Sequence, residues 1–205
     1  MASRAPSAGD GRVVRSRLAI CDACLDLIQE GVLQPSADQI ADRAGLSRRS
    51  IFYQFSDLAE LYDAVVEAGM QRYAPLLKKI PRELPVAERI AMLVDVRARF
   101  FEATTQFARA LTAQSLVGAA SDQAWRVSKA ALEAQQADID RVFGPELDRL
   151  PAAGRAETLE ALAGAASAAS WEYLRRSRGL SLPRARAVLT RTLRALLADG
   201  RASLT

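Results

Sequence analysis

Between Val14 and Ala198 the apolar residues of this chain recur at spacings of three and four, in runs separated by glycines and prolines. That is the period of one helix face, whereas strands alternate at two, and no stretch of the chain does so. The chain is therefore expected to be all-α. Its 205 residues can bury a proper core, either as one large helical domain or as a small unit joined to a larger one.

Composition then removes function classes. There is no histidine, so the commonest general base and the commonest metal ligand are missing. Cys21 and Cys24 form a C-x-x-C, yet no further Cys or His could complete a tetrahedral site, so no metal is expected. Their three-residue spacing on a helix makes them small packing groups, with a thiol switch as the alternative. No run reaches the roughly 18 apolar residues of a membrane span, and the first 13 residues hold no apolar signal core, so a cytoplasmic location without membrane contact is expected. The formal charge of +4 suits a polyanionic partner without requiring one. Up to Ile20, four arginines stand against Asp10; from Trp171 onward, eight stand against Glu172 and Asp199.

Residues 1–12 lack periodicity and read as a disordered basic arm. A first helix starts near Val14 and buries Ile20, Cys24, Leu27 and Ile28. Ser36 caps a short second helix with Ile40, Ala41 and Ala44 inside, which ends at Gly45. Ser47 caps a third, and Ser56 a fourth carrying Leu58, Leu61, Val65 and Met70. These elements define a domain over residues 13–74. Pro75, Pro81 and Pro85 mark a hinge, and residues 75–205 form a second helical domain. Helices are expected there over Val86–Thr104, Phe107–Leu116, Asp122–Phe143, Arg155–Arg178 and Pro183–Ala198, with joins at Gly118, Gly144–Pro145, Pro151 and Gly179–Pro183.

The second and third helices carry the functional signal. A bihelical unit that lays one helix in the DNA major groove needs a tight turn, small anchors on both sides, and short polar or basic residues at the start of the reading helix. Ala41, Ala44, Gly45 and Leu46 meet the first two demands; Ser47, Arg48, Arg49 and Ser50 meet the third. Hydroxyls and backbone N–H groups there can reach phosphates, and an arginine can grip a guanine edge with two bonds. A Gly-centred turn between short helices also occurs in helical proteins that never touch DNA.

The runs ICDACLDLIQEG and SADQIADRAGLSRRSIFYQFSDLAELYDAV, from about Ile20 to Val65, resemble the TetR family of bacterial transcriptional regulators. The resemblance implies a helix-turn-helix reading unit, a first helix starting near the DNA backbone, and a homodimer on a palindromic operator in double-stranded DNA. It implies base-edge and phosphate contacts for Ser47, Arg48, Arg49 and Ser50, with Arg48 and Arg49 as first choices for bases. It implies phosphate contacts for Tyr53 and Ser36, and core roles for Phe52 and Phe55. Three positions depart from the family pattern: Gln54, still a candidate contact, stands where histidine or tyrosine is frequent, Asp38 where arginine is common, and Leu58 where a phosphate-binding lysine is typical. Arg15 and Arg17, with the arm, are expected to replace part of that lost charge.

Behind the hinge the resemblance covers only helicity and length. Met92, Phe100, Phe101, Phe107, Trp125, Phe143, Trp171 and Tyr173 are candidates for the wall of an apolar ligand pocket, with an ordinary core as the alternative. Ala161, Ala165 and Ala169, with Gly164 and Ala168, give a narrow face that another helix can approach closely, and Leu189, Leu193, Leu196 and Leu197 give the last helix a stripe. The resemblance places these helices in a dimer interface; a contact within the chain is the alternative. Arg175, Arg176, Arg178, Arg184, Arg186, Arg191 and Arg194 read as a solvated rim. The expectation is an all-α, two-domain, homodimeric regulator and not an enzyme, since no polar catalytic cluster is visible. It is read as a repressor that an unidentified small-molecule inducer releases from DNA, with activation left open and with no other cofactor. A helical adaptor for protein partners is the competing reading.

Overall fold

The computed structural model describes residues 8–116 and 122–202. Among the described residues every regular element is helical. Their contacts divide the chain into two compact units, Met1–Ala74 with Gln106–Val127, and Pro75–Thr105 with Ser128–Thr205. The division differs from the contiguous one expected at residue 75, because the middle of the chain joins the N-terminal residues.

In the first unit, α1 (Ala8–Gln29) packs on α2 (Ala37–Ala44), α3 (Arg48–Gln54) and α4 (Leu58–Tyr73). Ile20, Cys24, Leu25 and Ile28 of α1 are fully enclosed, as are Ile40, Ile51, Phe55 and Leu61 on the elements that follow it; each such side chain contributes about 1.5–3 kcal/mol on leaving water. The helix α1 starts at Ala8, inside the segment expected to be a disordered arm; residues 1–7 lie outside the described residues. No proline follows Pro6 in this stretch, so the packed turns downstream can propagate through Gly9 and Gly11 despite their poor helix propensity. Asp57, not Ser56, caps α4, accepting from the Glu60 N–H. Leu58 and Met70 are exposed, because the buried face of α4 runs through Leu61, Val65, Gly69 and Tyr73. Phe107 covers that face: a Cβ added to Gly69 would stand 2.6 Å from its ring, and the Tyr73 ring lies 5.9 Å away.

In α5 (Val86–Leu116) one continuous helix replaces the two expected. The Thr104 and Thr105 hydroxyls donate to the Phe100 and Phe101 carbonyls at 2.8 and 2.6 Å, so the polar stretch is satisfied in helical form and no break is needed. The next helix, α6 (Asp122–Leu147), runs through Gly144 and Pro145, where a stop was expected. Pro145 lacks one N–H, but the turn around it buries Phe143 and Leu147 and brings Glu146 to Arg89, which outweighs one lost bond. The expected Arg155–Arg178 helix is instead α7 (Ala152–Ala165), α8 (Ala168–Glu172) and a π-helical turn, Tyr173–Ser177. Ser167 causes the break by capping α8, and Ser170 donates to the Gly164 carbonyl at 2.7 Å. Finally α9 (Leu182–Ala202) packs on α7. Leu93, Phe101, Phe143, Trp171 and Leu193 are central to the core of this unit.

Candidate nucleic-acid interface

The turn between α2 and α3 is built by its caps. Ser36 accepts from the Gln39 N–H at 3.3 Å while the Gln39 side chain accepts from the Ser36 N–H at 2.9 Å, closing a capping box. Gly45 ends α2 at φ 65°, a left-handed conformation that a side chain would strain. Ser47 then caps α3, accepting from the Ser50 N–H at 3.1 Å. Ile40 and Ala41 of α2, with Ile51 of α3 and Phe55 just after it, are buried, so the angle between the helices is held by packing.

That packing leaves Ser47, Arg48, Arg49 and Tyr53 exposed along one side of α3, with Tyr53 82% exposed. Ser50 and Gln54 are half-buried, and the Ser50 and Ser47 hydroxyls share a hydrogen bond of 2.9 Å. Phe52 is exposed rather than a core anchor. With the buried side of this short helix taken by Ile51 and Phe55, Phe52 points outward and lies 5.7 Å from the Arg48 guanidinium.

The charged residues of this face differ in what already holds them. Arg48 pairs with Asp38 of α2 at 3.0 Å, both side chains largely in water. Arg49 has no partner among the described residues. Arg15 is exposed on α1. Arg17 is engaged internally: its guanidinium stacks on Phe55 at 4.1 Å, pairs with Glu60 at 3.0 Å and donates to the Gln54 carbonyl. The Glu60 carboxyl is held down at about 2, first by the Ser56 backbone N–H and then by Arg17. Arg17 therefore joins α1 to both ends of the α3–α4 turn and has less charge to spare for phosphate than a free arginine would.

These elements align with known proteins. Over 93% of this chain and 83% of its own, a TetR-family transcriptional regulator from Streptomyces coelicolor superposes with a TM-score of 0.71 at 22% identity. The chain has the TetR-regulator fold. A transcriptional regulator from a Rhodococcus species shares the architecture over 91% of this chain and 96% of its own, with a TM-score of 0.65 and 13% identity. No protein-family model matches the sequence, and no curated protein does.

Within this TetR-like fold the other expected sites fall apart into separate places. The candidate pocket residues are distributed over both units. Phe107 belongs to the first unit, against Gly69 and Tyr73. Phe101 and Trp171 are buried 6.4 Å apart and Phe143 is buried, while Met92 and Phe100 border that core. Tyr173 is exposed. Trp125 lies in α6 with a side chain outside those described, and Gly118 lies outside the described residues. The Trp171 indole N–H donates to Glu102 at 2.9 Å, and Arg175 grips the same carboxylate at 2.7 and 3.0 Å. Arg186 likewise reaches Asp95 at 3.0 Å. These two arginines tie the end of the chain to α5 instead of forming a free rim.

Ala161 and Ala169 are exposed and Ala165 is half-buried, whereas Leu189 and Leu193 are buried in the core of the unit and Leu196 borders it. A groove of about 410 Å³ lies on this side, bordered by Ala165, Ala169, Tyr173, Val188 and Thr192. Cys21 and Cys24 are buried and free, and burial pushes their thiols up to about 11 and about 12, which disfavours the thiolate. No described helix is long and apolar enough to cross a membrane.

Reading the residue types alone missed two features. One is the Asp38–Arg48 pair, for which opposite charges on two helices joined by a tight turn were the available signal. The other is a pair of buried arginines in α5, Arg89 and Arg97; they fall at core positions of its apolar stripe, where apolar side chains are expected.

Proposed function

We propose that this chain is a DNA-binding transcriptional regulator that reads double-stranded DNA with α3. The observation that carries the reading is the row of exposed Ser47, Arg48, Arg49 and Tyr53 on a helix fixed from behind by Ile51, Phe55 and the Gly45 turn. Exposed guanidiniums on a rigid helix are what a phosphate backbone and a guanine edge bind, and rigidity limits the entropy lost on docking. Ser36, Ser50, Gln54 and Arg15 flank this row as supporting contacts, with Arg17 a weaker one.

The chain acts as a homodimer on a palindrome whose half-sites lie one DNA turn apart, about 34–36 Å. The small-residue face of Ala161, Gly164, Ala168 and Ala169 supports a close helix contact between copies, while Leu189 and Leu193 are buried within the chain. In this reading the regulator is a repressor, released when a small molecule entering the second unit favours a conformation with mismatched reading helices.

Selection of bound genomic fragments by the full chain, followed by titration of the enriched sequence, tests the proposal. A palindrome should be enriched, and Arg49→Ala should weaken its binding about 10- to 100-fold, the loss of one bidentate base contact. Equal, weak binding to every sequence would overturn it and favour the adaptor reading.

A further inference from the structure

The buried stripe of α5 has a charge in its middle. Ile90, Leu93, Val94, Ala98 and Phe101 are buried, and Arg97 among them is 3% exposed. Among the described residues its bonds come from one nitrogen: Nη2 donates to Asp138 at 3.3 Å and to the Gln135 carbonyl at 3.5 Å, both long. Its Nε is buried without an acceptor.

Arg89, two turns earlier on the same helix and equally buried, shows what a satisfied guanidinium looks like here. Its Nη atoms take both Glu146 oxygens at 2.8 and 2.6 Å, its Nε donates to the Leu84 carbonyl at 2.8 Å, and the Val142 carbonyl accepts as well. Asp138, in contrast, divides its charge. Its other oxygen binds Arg141 at 2.6 Å, and Arg141 also donates to the Ile80 carbonyl at 2.7 Å. One carboxylate thus faces two guanidiniums and leaves one positive charge unmatched. Arg186 also has a buried Nε without an acceptor, but its side chain is 36% exposed and it holds Asp95 at 3.0 Å.

Keeping an under-bonded charge inside a domain costs stability that apolar packing would not. The free Nε–H shares an edge with Nη2, which is held only by its two long bonds, so a carboxylate can take this edge in two-pronged fashion by displacing one of them. A monoanion would balance the local charge, and Leu93 and Phe101, one turn to either side on the same face, would contact an apolar remainder. We infer that Arg97 anchors a binding site for a small organic monocarboxylate with an apolar body. That this ligand acts as an effector rests on the regulator reading above; the site itself does not.

Calorimetric titration of the full chain with decanoate and benzoate, against decan-1-ol and benzyl alcohol, tests the inference. At least one carboxylate should bind, and its neutral counterpart should not. Arg97→Met should weaken that binding about 10- to 100-fold, as loss of charge-assisted bonds does, while the unliganded protein melts no lower than its parent. Arg97→Lys, which keeps the charge but loses the fork, should fall between the two. Retained affinity in Arg97→Met, equal binding of the alcohols, or no carboxylate binding to the folded parent would overturn the inference. So would a lower melting temperature of Arg97→Met, which would mark the residue as a structural ion pair. Fragment selection on the same preparation separates the two readings. Arg97-dependent carboxylate binding without an operator removes the regulator, and an operator without carboxylate binding removes the site.

Discussion

The helices α3 and α5, one from each unit's core framework, treat arginine in opposite ways. On α3 the guanidiniums stand in water, where they cost little and remain available to a polyanion, with Ile51 and Phe55 buried behind them. On α5 two guanidiniums are buried; one is bonded through all its nitrogens and the other is not. The difference teaches that arginine content alone, which is higher toward the C-terminus, does not locate function. What matters is how much of each group's bonding the chain already satisfies.

The sharpest break of that comparison is Glu146→Ala, which strands Arg89 inside the second unit. It should cost about 3–5 kcal/mol in urea unfolding, because an unpaired buried charge is left behind. A loss below about 1 kcal/mol would mean that Arg89 reaches water and that the interior is not as dry as its burial indicates. The apolar packing of the first unit is tested by Gly69→Ala. The added Cβ should meet the Phe107 ring and destabilise the chain by about 1–3 kcal/mol, with part of the loss recovered in the double variant carrying Phe107→Leu. Additive losses would show that the two residues are not in contact. The smallest effect is expected outside. Asp38→Ala should change stability by less than about 1 kcal/mol, since the pair lies in water. It should tighten DNA binding of every sequence by removing a negative charge from the face, as read by anisotropy titrations at several salt concentrations. Weaker binding confined to the operator would instead assign Asp38 the task of holding Arg48 in its reading position.

The α2–α3 unit was legible before any coordinates because its determinants are local. Ser36, Gly45 and Ser47 act on backbone groups within four residues, and the spacing of Ile40, Ala41 and Ile51 marks the buried side. Phe52 is exposed against expectation since a helix of seven residues has room for few inward positions, and Ile51 with the capping Phe55 takes them. Continuation of α6 through Pro145 was not legible either, because the compensation comes from Phe143, Leu147 and the distant Arg89. Arg17 read as a free basic group, but Glu60, 43 residues away in sequence, claims it.

The sequence by itself determined the helical class, the joins at Gly31, Gly45 and Gly179, and the capped turn that starts α3, since all of these follow from hydrogen bonds and periodicity inside one or two turns. Only the tertiary structure decided which arginines are spent. Pairing energy and desolvation depend on what folds in from far along the chain, so Arg15 and Arg49 stay open while Arg17 and Arg89 are engaged, and Arg97 is buried with its edge incomplete.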